Sequence, residues 1–250
     1  MTTPSIRLPV VCDGLRLSAG ACVPEEPRGL VVLLHGIPSV NPPDPDDRGY
    51  PGVAEGLAAG GWAAAWADMR AVRASPGYFS IEGWVRDARA VVDAARSLEG
   101  AGDLPVALVG SSAGGAVSAE VVRRGAPVNA LAMLAAPATW ITFAGDPAAG
   151  VRRVIDQAGM KLAPGVEEDP RAWADEFERV SAEDTIAHVK IPTLIMHGSA
   201  DDVVPVDHAH RLANRAPKAD LRIIEGAHHQ LRRIPEALDI LDGWLRQVLR

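Results

Sequence analysis

The residues best placed to do chemistry sit in Gly110-Ser111-Ser112-Ala113-Gly114, directly after the apolar run Val106-Ala107-Leu108-Val109. That run reads as a buried parallel strand. Val117 to Arg124 reads as a helix that stops at Gly125. A side chain at the apex of a sharp strand-to-helix turn sits in strained backbone and needs small neighbours. Its hydroxyl is pushed out above the sheet, at a helix N-terminus that favours developing negative charge. The chemistry is nucleophilic attack. The frame selects the serine. Were Ser111 the nucleophile, Val109 and Ala113 would stand where the turn needs glycine, so Ser112 is the candidate.

A serine hydroxyl is a poor nucleophile at neutral pH. It needs a general base, an acid to orient that base, and donors for the oxyanion. In an open α/β sheet each belongs at the C-terminal end of a strand. Asp201 and Asp202 follow the strand at Pro192 to Gly198, and Asp202 also suits a helix cap. His228 and His229 follow the last strand, and two adjacent histidines cannot both point into one site. The backbone N–H groups of Ile37 and Ala113 are the candidate oxyanion donors. His35 reads as a brace for its loop.

The elements that must hold these groups alternate between strand and helix. Ile6 to Val11 and Leu15 to Val23 read as a hairpin around Asp13-Gly14. Its register sets Cys12 against Leu15 and Cys22 against Ser5. The two cysteines are then about 23 Å apart at ~3.3 Å per residue, beyond the about 7 Å that a disulfide spans. Gly29 to Pro38 reads as a strand ending in a turn, and further strands are expected at Trp62–Met69, Val106–Val109, Val128–Ala135, Pro192–Gly198 and Leu221–Glu225. Helices are expected at Val53–Ala59, Ile81–Leu98, Val206–Arg215 and Pro235–Leu249. On the Ile81–Leu98 helix, Ile81, Trp84, Val85, Ala88, Val91, Val92, Ala95 and Leu98 form the apolar stripe. Arg86, Asp87, Arg89, Asp93 and Arg96 face away. The proline- and aspartate-rich Asn41 to Arg48 is a loop. The pattern predicts one α/β domain over residues 1–250. Its mostly parallel central sheet has about eight strands, with helices on both faces. Residues 137–189 form a helical insertion, with helices near Asp146–Met160 and Pro170–Val180.

Composition narrows the class. The net charge of -7 gives no electrostatic footprint for nucleic acid or an anionic membrane. No apolar run is long enough to span a bilayer. Met1 to Arg7 lacks the basic and apolar regions of a leader, and both cysteines read as reduced, so the cytoplasm is expected. Asp207, His208, His210 and His228 do not make a metal site, because His208 and His210 lie two apart on a helix and point to different sides. No metal or cofactor is expected. The expected partner is a small-molecule substrate, and a homodimer is left open.

Four motifs in order, His35-Gly36-Ile37-Pro38, Gly110-x-Ser112-x-Gly114, His197-Gly198-x-x-Asp201 and Gly226-Ala227-x-His229, resemble those of the α/β-hydrolase superfamily over nearly the whole chain. Within it the chain is most similar to small serine esterases and peptidase-like hydrolases with a modest cap. The resemblance implies Asp201 as the acid and His229 as the base. It implies a serine hydrolase acting through an acyl-enzyme on a carboxylic ester or thioester. The same triad also serves acyl transfer, cyclisation, and amide or carbon–carbon bond hydrolysis, and such a scaffold also occurs as a non-catalytic ligand binder. The insertion leaves the sheet one strand beyond Ser112. Trp140, Phe143, Trp173 and Phe177 are therefore expected to line a pocket for a small-to-medium apolar substrate. One run departs from the family pattern. Relatives carry Asp-x-Arg-Gly-x-Gly before the long helix, but here Ala71 and Arg73 replace both glycines.

Overall fold

The computed structural model describes residues 3–42, 44–140, 143 and 145–249. Parts of the N-terminal stretch, the Asn41–Arg48 loop and the 137–189 insertion therefore lie outside the described residues, as does the last residue. The hairpin forms as its turn residues dictate. Asp13 and Gly14 both take positive φ, 51° and 76°, the signature of the tight turn that Asp-Gly favours. Cys12 pairs with Leu15 and Ser5 with Cys22, and both cysteines are free. The first strand is split in two, β1 (Ser5–Arg7) and β2 (Val10–Cys12), each antiparallel to β3 (Leu15–Cys22). Leu8 still donates its N–H to Ala19 O at 3.1 Å. Pro9 has no N–H to give and interrupts the ladder. The described residues thus hold nine strands rather than about eight.

The remaining strands are β4 (Leu30–Leu34), β5 (Ala63–Asp68), β6 (Val106–Ser111), β7 (Ala130–Leu134), β8 (Thr193–Gly198) and β9 (Ala219–Ile224). They run parallel in the order β5-β4-β6-β7-β8-β9, and β3 closes on β5 antiparallel. The central strands β4, β7 and β8 are buried throughout, as continuous apolar runs require. Helices α1 (Gly49–Ala59), α2 (Ile81–Arg96), α3 (Ala113–Arg123), α7 (Asp207–Arg215) and α8 (Pro235–Val248) cover both faces. Trp84 and Val91 of α2 and Val117 of α3 pack on one face, and Leu57 of α1 with Leu241 and Trp244 of α8 on the other.

One surface assignment is corrected. Asp87 of α2 is fully buried, not outward-facing. Arg70 leaves the end of β5 and meets it with two side-chain bonds, at 2.9 and 2.7 Å, while the Arg70 N–H adds a third at 2.8 Å. A buried carboxylate needs such a partner, and the pair pins the loop after β5 to α2.

Between β7 and β8 lie α4 (Pro147–Arg152), α5 (Arg171–Arg179) and α6 (Ala182–Ile186). The helix expected to reach Met160 changes instead into a π-helical turn over Arg153–Gln157, and the chain turns away just beyond it at Gly159, with φ 64°. This segment is tied to α3 by buried Glu120. Glu120 accepts from Thr185 Oγ1 at 3.0 Å and pairs with Arg123 and Arg124.

Candidate active site

Ser112 is the hinge between β6 and α3. Its backbone holds φ 52° and ψ −124°, a region that costs a non-glycine residue free energy unless its surroundings impose it. Close packing imposes it here. A side chain on Gly110 would collide with the Gly114 carbonyl and the Ser118 hydroxyl, and one on Gly114 with the carbonyls of Leu34 and His35. The Ser112 N–H is held by Leu134 O at 2.7 Å. The loop after β4 comes equally close, since a Cβ on Gly36 would sit 2.7 Å from Ser112 Cβ. Ile37 follows in that loop and Ala113 opens α3. Among the described residues neither N–H has an acceptor, and the first N–H groups of a helix have none of their own.

His35 braces that loop. Its Nε2 accepts the Met69 N–H at 2.9 Å, so Nδ1 carries the proton and donates to Gly36 O at 2.7 Å. Burial pushes the imidazole below its ordinary value and keeps it neutral.

Asp201 and His229 meet across the ends of β8 and β9. His229 Nδ1 lies 2.8 Å from Asp201 Oδ2. A carboxylate only accepts, so Nδ1 carries the proton and Nε2 is left as an acceptor. Oδ1 of Asp201 accepts the N–H groups of Val203 and Val204, both at 2.9 Å. Buried His197 approaches Oδ2 at 3.2 Å through Nε2, which also donates to Val204 O at 2.8 Å. Burial alone would raise the Asp201 carboxyl. The hydrogen bonds from His197, His229 and Val204 outweigh it and hold it well below the usual carboxylate range. Asp202 and His228 are exposed, and no bond joins either to this group.

Ser112 and His229 line one cavity of about 1130 Å³, with Asp201 behind His229. The four aromatic candidates divide. Trp140 and Phe143 reach the cavity wall. Trp173 and Phe177 do not: they fill the layer behind it, Phe177 stacking on Phe143 at 4.7 Å and meeting Trp140 at 5.4 Å. Of the candidates set aside for metal, His208 accepts the Ala138 N–H at 2.9 Å and His210 is exposed. Among the described residues no group of three or more His, Cys, Asp or Glu could hold a metal ion. No helix among them is long and apolar enough to cross a membrane.

Three features of the wall were not legible as functional in the sequence. The acidic loop after β4 latches onto the loop that follows His229, Asp47 pairing with Arg232 and Asp44 with Arg233. The Arg232 hydrogen bond pulls Asp47 down to about 2. Tyr50 lies on the wall with Arg232 over its ring at 5.4 Å, and burial raises its phenol. Arg153, first residue of the π-helical turn, also faces the cavity. The latch joins residues far apart in the chain, and a π turn has no pattern that distinguishes it from a helix end. Only the density of Asp and Arg in the two loops could have pointed to it. In the loop that lacks the family's two glycines, Ala71 and Arg73 both take positive φ, 64° and 47°, the region glycine enters most readily.

Comparison with known proteins agrees with this architecture. The esterase Pf2001 of Pyrococcus furiosus superposes with a TM-score of 0.73 at 18% identity, covering 99% of this chain and 94% of that one. TT1662 of Thermus thermophilus gives 0.71 at 22% identity, over 100% and 99%. Est1E of Butyrivibrio proteoclasticus, solved with ferulic acid bound, gives 0.68 at 22%, over 96% of each chain. Identities this low speak for the fold. A curated relative, the non-heme chloroperoxidase CPO-A1 of Kitasatospora aureofaciens, is 34% identical over 77 residues; that stretch is 30% of this chain and spans only 28% of the relative's length. The family described as "Serine aminopeptidase, S33" matches residues 25–182 and 173–233, most of the sequence. The chain therefore belongs to the serine aminopeptidase S33-type family of α/β hydrolases.

Proposed function

We propose that this hydrolase cleaves a carboxylic ester, or thioester, through an acyl-enzyme on Ser112. The observation that carries the reading is the 2.8 Å bond between His229 Nδ1 and Asp201 Oδ2, with His229 on the same cavity wall as Ser112. Asp201 fixes the tautomer, so His229 Nε2 takes the Ser112 proton as Oγ attacks the carbonyl carbon. The oxyanion is met by the N–H groups of Ile37 and Ala113, which have no acceptor of their own among the described residues. The tetrahedral species collapses, and the alcohol or thiol leaves with the proton from His229. Water then enters, gives a proton to His229, and its oxygen replaces Ser112 on the acyl carbon. Ser112 regains its proton and the acid departs. Trp140 and Phe143 would pack an apolar segment of the substrate.

The cytoplasm is the proposed compartment, supported by the two buried free thiols Cys12 and Cys22. A panel of matched esters, thioesters and amides tests the bond. The ester and thioester should turn over with a burst of leaving group, and the amide should be at least about 10²-fold slower. An amide hydrolysed faster than its ester would overturn the assignment.

A further inference from the structure

The cavity wall carries four arginines, Arg73, Arg153, Arg232 and Arg233, against two aspartates, Asp44 and Asp47. The chain as a whole has a net charge of -7, whereas the cavity wall carries more arginines than carboxylates. Three of the four cations are matched. Arg73 pairs with Asp68 at 2.8 Å, Arg232 with Asp47, and Arg233 with Asp44. Arg153 is not: among the described residues no carboxylate pairs with it. Its guanidinium lies 5.9 Å over the ring of Phe143. That cation–π contact offers the guanidinium no hydrogen-bond acceptor, so its N–H groups stay available. The turn that presents it is itself anchored, since Gln157 O accepts the Val40 N–H at 2.9 Å.

We propose that the substrate carries a carboxylate, seated on Arg153 by a bidentate ion pair, beyond an apolar segment that packs on Phe143. The proposal rests on the ester-hydrolase reading above and names its substrate class: a half-ester of a dicarboxylic acid, or an ester of a carboxylated alcohol. One unmatched guanidinium balances one negative charge, which suits a carboxylate; a phosphate monoester brings close to two. The planar fork of arginine also matches carboxylate geometry. Hydrolysis adds water across the acyl–oxygen bond, with no co-reactant beyond water: the half-ester releases a diacid and an alcohol, and the ester of a carboxylated alcohol releases an acid and a hydroxy acid.

The test compares kcat/KM for p-nitrophenyl hemiglutarate and p-nitrophenyl pentanoate, which differ by a terminal carboxylate in place of a methyl. A second pair, carboxyphenyl pentanoate and phenyl pentanoate, moves the charge to the leaving group. The wild type should favour the charged member of one pair by about 10-fold or more. Arg153→Met should lower that preference by about 10- to 100-fold, the scale of a hydrogen bond to a charged partner. Arg153→Lys should retain part of it and guards against loss of fold. A wild type that favours the neutral member of both pairs would overturn the proposal, as would a preference unmoved in Arg153→Met. If no ester is turned over, the hydrolase reading fails by itself. Calorimetric titration with glutarate then decides on Arg153: binding lost in Arg153→Met supports the anion site, and equal or absent binding removes it.

Discussion

Asp47 holds Arg232 through both carboxylate oxygens, at 2.5 and 2.7 Å, and so fastens the loop after β4 to the loop that carries His229. With Asp44 and Arg233 beside it, this latch closes one side of the cavity. The acidic loop therefore has an architectural task next to the proposed base.

The latch has a pH signature. A carboxyl whose folded-state value is depressed stabilises the fold above its unfolded value, about 3.9. That stabilisation is lost as pH falls through the folded value, here about 2. Between about pH 4 and pH 2 the urea midpoint of the wild type should fall more steeply than that of Asp47→Asn. Parallel curves would show that the pair contributes nothing to acid stability.

The neighbouring candidates for base and acid separate by environment. His229 bonds to Asp201, whereas His228 and Asp202 are exposed. His229→Ala and Asp201→Asn should each lower kcat by about 10³- to 10⁴-fold. His228→Ala and Asp202→Ala should change it by about 2-fold, as surface substitutions do. Comparable losses at His228 and His229, by steady-state kinetics, would contradict the assignment.

The two stacked phenylalanines should part company in the same way. Phe177 is fully buried behind the wall, so Phe177→Ala should cost about 3–5 kcal/mol of stability. Its ratio of acetate to hexanoate ester hydrolysis should stay close to that of the parent. Phe143 reaches the cavity, and Phe143→Ala should shift that ratio by about 10-fold. Denaturation and an ester-length series on both variants check this.

Ala71 sits at φ 64° on the cavity rim. Left-handed backbone costs an L-residue about 1–2 kcal/mol, while the greater freedom of an unfolded glycine costs about 0.5–1 kcal/mol. Ala71→Gly should therefore stabilise the fold by about 0.5–1 kcal/mol, read as a rise in Tm of about 1–4 °C. A fall in Tm would mean that the alanine methyl makes contacts worth more than the strain.

Much of this was legible because it is local. Asp13-Gly14 dictates the hairpin and its register, and through it the separation of Cys12 from Cys22. The flanking glycines of Ser112 are required by contacts within a few residues and by the adjoining loop. What escaped depends on distant partners. Asp87 reads as a surface residue until Arg70 arrives from another element. Asp47 and Arg232 lie 185 residues apart. Trp173 and Phe177 share a helical face, but periodicity says only that the face is covered, not that a cavity lies beyond it. The positive φ at Ala71 and Arg73 was hidden for the converse reason: neither residue type favours it, and the buried Arg70–Asp87 pair holds the loop in place.

The central claim is that Ser112, and not Ser111, is the nucleophile. A fluorophosphonate phosphonylates an activated serine and leaves ordinary hydroxyls untouched. Peptide mapping of the treated protein by mass spectrometry should find one adduct, on Ser112. It should be absent from Ser112→Ala and strongly reduced in His229→Ala. An adduct on Ser111, or an untouched Ser112 in protein that still hydrolyses p-nitrophenyl esters, would contradict the account.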